Sequence, residues 1–170
     1  SVYLEVAALR AFYRFAENEK LLPANVAEHL SVPRRWKRLP KDLTHEEIGR
    51  LLAPSQPVTP SSLCDQAMLE LAYSSGLRIS ELSGLSLQQV DLEHGFVRVF
   101  GKGSKERVIP LGGKARDAIV TYLAAARPRL VKPRTGSELF LSERGKAISR
   151  KTLWVIVKKY ALRAGLSRNV

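Results

Sequence analysis

The sequence predicts an α+β fold, mainly helical with a small three-stranded antiparallel sheet, preceded by helices of a separate N-terminal unit. Three observations carry this. Apolar residues recur at helical spacing on both sides of a central segment, and within that segment, from Gln89 to Leu111, the apolar period drops to two. Short turns rather than helices join the period-two runs, so no doubly wound parallel sheet is indicated.

The elements follow in order. "VYLEVAALRAFYRFAENEKL" carries Val2, Val6, Leu9, Tyr13 and Ala16 as a helical stripe that needs a partner surface. "SVPRRWKRLPKDLT" sets Arg34, Arg35, Lys37 and Arg38 around Trp36 between Pro33 and Pro40. Prolines so close oppose a helix and favour an extended tether, read as a basic linker over residues 32–43 that could lie on a phosphate backbone, or equally as a plain surface loop.

Helix signals resume at "THEE", where Thr44 and Glu47 form a capping box. Next, Thr59 caps and Pro60 opens a core helix with Leu63, Ala67 and Leu71 on one face and Gly76 as its stop. "LRISELSG" leaves room for a couple of helical turns before Gly84. "QVDLEH", "FVRVF" and "RVIPL" are the three strands, and the second turn, "GKGSKE", presents Lys102 and Lys105 beside Gly101 and Gly103. "KARDAIVTYLAAAR" is helical through Ala115, Ala118, Ile119, Tyr122 and Leu123, and is followed by the loop "RPRLVKPRTGSE". The last helix is capped by Ser149, stapled by Ile148 onto Leu153 and ended by Gly165.

Composition bounds the function. The 170 residues, 45% hydrophobic, suffice for one domain with a proper core plus a piece of another. A single Cys64 forms no internal disulfide, which fits a reducing compartment. No apolar run approaches the roughly 18 residues of a membrane span, and the first residues have neither the basic front nor the cleavage site of a signal peptide. The protein is therefore expected to be soluble and cytoplasmic. "SVYLEV" reads as the middle of a helix, so the chain is expected to be a fragment.

The net charge of +12 is one-sided. Up to Gly95 there are 10 Lys and Arg against 12 Asp and Glu, and from Phe96 onward 18 against 4. Like charges gathered in one half repel each other, and a polyanion relieves that cost. Nucleic acid is the first expectation, with an acidic membrane or an acidic protein as the other classes. "GKGSKER" is no P-loop, since it lacks the Lys-Ser/Thr at Walker spacing and joins two strands. His29, His45 and His94 are scattered, and with one cysteine they make no zinc ligand set. No Ser/His/Asp or paired-carboxylate arrangement stands out.

One residue is out of place. Arg78 lies between Leu77 and Ile79 in "SSGLRISELSGL", an apolar stretch at a helix start. It either snorkels, keeping its head in water over an apolar stem, or it has work to do.

The blocks "LPKDLTHEEIGRLL", "CDQAMLELAYSSGLRISELSGL", "VRVFGKGSKERVIPL" and "SRKTLWVIVKKYALRAGL", in that order and at those separations, resemble tyrosine recombinases of the bacterial Xer type, nearest the XerD branch. The likeness runs from about Lys41 to Val170. It implies an incomplete tyrosine recombinase catalytic domain over 44–170, behind the linker and the end of a helical core-binding domain over 1–31. The activity implied is DNA cleavage and rejoining at a specific recombination site through a 3′-phosphotyrosyl intermediate, in chromosome dimer resolution. It implies duplex DNA and further recombinase protomers, a homo- or hetero-tetramer, as partners, with no membrane, no metal and no nucleotide cofactor.

Residue by residue, the resemblance assigns Arg78 of "GLRxSEL" to the nonbridging oxygens of the scissile phosphodiester, a role that suits a planar, permanently charged fork. Glu81, one turn on, resembles the acidic partner that holds this arginine, or is an ordinary helix glutamate. Lys102 resembles the hairpin lysine that protonates the leaving 5′ oxygen. That role requires a pKa below the usual value of about 10.4, through crowding by Arg78 and desolvation against DNA. Lys105 and Arg107 are read as phosphate contacts. Arg150, Lys151 and Thr152 begin the helix that the family inserts in the major groove, with Arg150 reading a base edge or touching phosphate. The family pattern continues with a His-x-x-Arg box and the tyrosine nucleophile, and the sequence ends at "LSRNV" before either, so the chain is expected to bind DNA without cleaving it. The alternative is a noncatalytic DNA-binding module.

Overall fold

A computed structural model describes residues 2–31, 42–101 and 106–166. The chain divides into two compact units, Ser1–Pro40 and Lys41–Val170. Arg34, Arg35 and Lys37 of the basic stretch, and Lys102 and Lys105 of the glycine-rich turn, lie outside the described residues.

The first unit is a helix, α1 (Val2–Asn18), with a short return. Lys20 takes a left-handed φ of 57°, and the chain folds back so that Leu21 N–H reaches the Ala16 carbonyl at 2.9 Å. The Arg10 guanidinium donates to the carbonyls of Glu28 and Leu30, fastening the return segment. Of the predicted stripe only Ala16 is buried, and Val2 and Leu9 stand exposed together with Leu4, Phe12 and Phe15.

In the second unit, local chemistry places most boundaries. In α2 (His45–Leu51), Thr44 and Glu47 make the reciprocal box, with Glu47 N–H donating to Thr44 Oγ1 at 3.2 Å and Thr44 N–H to Glu47 Oε2 at 2.8 Å. In α3 (Pro60–Ser75), Thr59 caps, Pro60 occupies the first turn and Gly76 ends the helix at φ 57°, a conformation glycine adopts without steric cost. This helix is the axis of the core. Cys64, Ala67, Met68 and Leu71 are essentially inaccessible, and burial of each large apolar side chain contributes about 1.5–3 kcal/mol.

A short α4 (Ile79–Ser83) follows, then a 3₁₀ turn and the sheet: β1 (Val90–Asp91), β2 (Phe96–Phe100) and β3 (Glu106–Pro110), antiparallel in the order β1-β2-β3. The predicted meander and α+β class are what the structure has. Alternation along β2 buries Val97 and Val99 and exposes Arg98 and Phe100.

The next helix differs from the expected one. After α5 (Gly113–Thr121) the helix widens into a π turn over Tyr122–Ala126 and runs on through α6 (Arg127–Leu130), where the sequence reading begins a loop at Arg127. Pro128 has no N–H to give the preceding turn, and a widened turn is one way a helix passes such a residue. Apolar anchoring holds the continuation, since Ala126 and Leu130 are both buried against the core. The final helix, α7 (Arg150–Arg163), buries Leu153, Ile156 and Tyr160 and packs against α4. No helix among the described residues is long and apolar enough to cross a membrane.

Candidate active site

The site grows from the sharp end of α3. Gly76 turns the chain, Leu77 is buried as an anchor, and Arg78 takes the extended N-cap position of α4 (φ −63°, ψ 148°). Glu81, at the third helical position, reaches back as N-terminal glutamates do. Its Oε2 accepts the Arg78 backbone N–H at 2.8 Å, and its Oε1 accepts Nη1 of the same residue at 3.1 Å. A third donor arrives from the sheet, Arg107 Nη2, 2.8 Å from Oε2. The Glu81 side chain is only 9% exposed and ion-paired to two arginines.

The carboxylate responds to both influences. Burial pushes the Glu81 pKa up, but the hydrogen bonds from Arg78 and Arg107 and the charge of Arg107 outweigh it and hold the group below its ordinary value. The Arg78 side chain is 68% exposed. Its fork is held on one edge by Glu81, and among the described residues its other N–H groups have no protein acceptor. Next to it Ser80, Glu81, Gly84, Gln89, Val99 and Phe100 line an open cleft of about 410 Å³. Gln89 is fixed there by accepting from Ser86 N–H and donating to the Arg98 carbonyl.

The loop that carries Lys102 and Lys105 departs from and returns to a paired strand end, Phe100 opposite Glu106. At the start of α7, Ser149 Oγ accepts the Thr152 N–H at 3.1 Å and the two hydroxyls lie 2.9 Å apart, while Arg150 and Lys151 stand exposed. The sequence reading missed Arg144, Lys146 and Lys159, which share a hollow of about 500 Å³ with Thr152. The signal that could have found them is the concentration of cations after Phe96.

The phage integrase family model matches residues 41–170, the whole second unit. The chain belongs to the phage integrase family. Among curated relatives, the tyrosine recombinase XerD of Halalkalibacterium halodurans is 42% identical over 168 residues, covering 99% of this chain and 56% of the relative. The Proteus mirabilis XerD is 42% identical over 161 residues, 95% of this chain and 51% of the relative. The chain therefore spans about half the length of these integrase-family relatives. In fold it is similar to a crystal structure of XerA recombinase (TM-score 0.67, 24% identity, all of this chain and 56% of that one). It is also similar to a lambda integrase (75–356) dimer bound to a COC′ core site (TM-score 0.70, 17% identity, 96% of this chain and 56% of that one). The family match places "GLRISEL" and the Glu81 bridge inside the integrase-family region.

Proposed function

We propose that the chain supplies the phosphate-holding half of a site-specific tyrosine recombinase, with residues 1–31 as the end of a core-binding domain, 32–43 as a DNA-tracking linker and 44–170 as catalytic domain. The supporting observation is the pairing of Arg78 with Glu81: one edge of the guanidinium is fixed to a nearly buried carboxylate and the other faces open space.

In this reading the tyrosine oxygen attacks phosphorus, the bond to the 5′ oxygen breaks, and a 3′-phosphotyrosyl bond replaces it. Arg78 holds the nonbridging oxygens as charge builds on them, Glu81 orients Arg78, and Lys102 gives the leaving 5′ oxygen its proton. Arg34, Arg35, Lys37, Lys105, Arg150, Lys151 and Thr152 contact duplex DNA. The recombinase acts as a tetramer on two duplexes in the cytoplasm, in chromosome dimer resolution.

The test uses a chimaera in which residues 1–170 are continued by the C-terminal segment of the Halalkalibacterium halodurans relative. Arg78→Ala should depress cleavage of every substrate by about 10² to 10³. Lys102→Ala should be rescued by a substrate with a bridging 5′ sulfur, whose leaving group needs no proton, while Arg78→Ala should not. Equal rescue of both variants, or full activity of Lys102→Ala on ordinary DNA, contradicts the assignment.

A further inference from the structure

Arg107 is expected among the phosphate contacts, yet its strand points it elsewhere. In the β2–β3 register Arg107 lies opposite Val99, and Ile109 opposite Val97. Residues directly opposite in an antiparallel pair share a face, so Arg107 sits on the side that buries Val97 and Val99, whereas Glu106 and Val108 lie on the exposed side. A cation directed toward a core is costly unless a partner meets it. Glu81, 26 residues earlier, meets it at 2.8 Å, and the Arg107 side chain is left 39% exposed.

The consequence is mechanical. Glu81 belongs to the α4 turn that carries Arg78, and Arg107 lies two residues beyond Lys105 on the strand leaving the hairpin loop. One carboxylate therefore ties the arginine turn to the hairpin strand. Without the Arg107 bond, Glu81 is held only by Arg78 of its own turn, and the tie to β3 is lost.

We propose that Arg107 is a positioning residue, which clamps Glu81 and so holds the turn that carries Arg78 at a fixed place against strand β3. The proposal rests on the reading of Arg78 as the phosphate-holding group. A lysine at the same place would offer a point charge in the place of the guanidinium N–H, and so keeps only part of the clamp.

The experiment compares the chain with its Arg107→Gln and Arg107→Lys variants by two readouts. The first is a ¹³C NMR titration of the Glu81 carboxyl in the free protein. Arg107→Gln should move its midpoint up toward the ordinary carboxylate value, and Arg107→Lys should restore part of the shift. The second is the salt dependence of duplex DNA binding. A positioning residue leaves the log-log slope at the wild-type value, whereas loss of a phosphate contact makes it shallower by about 0.9. A Glu81 midpoint that does not move, or a shallower slope in Arg107→Gln, overturns the proposal. If Arg107→Gln does not fold, Arg107→Lys decides by the same two criteria. A wild-type chain that fails to bind duplex DNA removes the preceding functional reading, and the titration still decides whether Arg107 clamps Glu81.

Discussion

Lys159 Nζ lies 3.1 Å from Asp65 Oδ2, joining α7 to α3 across 94 residues of sequence. The carboxylate is buried, its side chain 5% exposed, while the lysine remains largely in solvent. Burial raises the Asp65 pKa above its ordinary value of 3.8, and the hydrogen bond and charge of Lys159 offset only part of that effect.

The sign of the pH effect follows. Because the folded state holds the Asp65 proton more tightly than the unfolded one, the associated stability is complete below pH 3.8 and is lost as pH rises through the raised pKa. Asp65→Asn should therefore gain on the wild type as pH climbs out of the acid range. Urea unfolding of both proteins from pH 3 upward measures it, and a wild type that gains on the variant over that range would contradict the assignment.

Glu81 should behave oppositely. Its pKa is depressed in the folded state, so its contribution is present above the ordinary value of 4.5 and is lost as pH falls through the depressed one. In the same experiment Glu81→Gln should be less stable than wild type at neutral pH, and the gap should close on acidification. A gap that is constant with pH would mean that the carboxylate charge has no part in holding the two arginines.

Tyr122 is wholly buried in the π turn, where its hydroxyl donates to the Leu139 carbonyl at 3.0 Å and accepts the Leu141 N–H at 3.1 Å. Tyr122→Phe keeps the ring and removes both bonds. Leaving the buried Leu141 N–H without its partner, while the Leu139 carbonyl keeps Arg127 Nε at 3.3 Å, should cost about 1–3 kcal/mol in unfolding free energy. A loss under about 0.5 kcal/mol would show that this N–H finds another partner.

Residues 1–170 should form no covalent adduct with DNA through Tyr160. Tyr160, the tyrosine nearest in sequence to the expected nucleophile, is inaccessible, and its hydroxyl accepts from Ser55 at 2.9 Å. Incubation with a nicked suicide substrate under saturating conditions, followed by a denaturing gel, should show no protein–DNA band. A stable band that Tyr160→Phe abolishes would place the nucleophile there.

What could be read from the sequence was local. The Thr44, Thr59 and Ser149 caps, the Gly76 stop and the three strands depend on residues a few positions apart, whereas the Arg78–Glu81 pair was expected only from the family resemblance. The Arg107–Glu81 contact was not legible because it depends on strand register and on an ion pair across 26 residues, neither of which leaves a short-range mark. The Asp65–Lys159 pair was hidden for the same reason. At Pro128, local propensity argued for a stop, and burial of Ala126 and Leu130 outweighed it. In α1 the periodicity marked a helix correctly, but the burial it implied is not met within the described residues.

The most direct test of the central claim, that the basic half holds duplex DNA and gives Arg78 to a phosphate, is the salt dependence of binding measured by fluorescence anisotropy for wild type and Arg78→Ala. Neutralising six to eight phosphates predicts a log-log slope of roughly −5 to −7 for the wild type, made shallower by about 0.9 in Arg78→Ala. An affinity that does not change between low and moderate salt, or an Arg78→Ala slope identical to wild type, would contradict it.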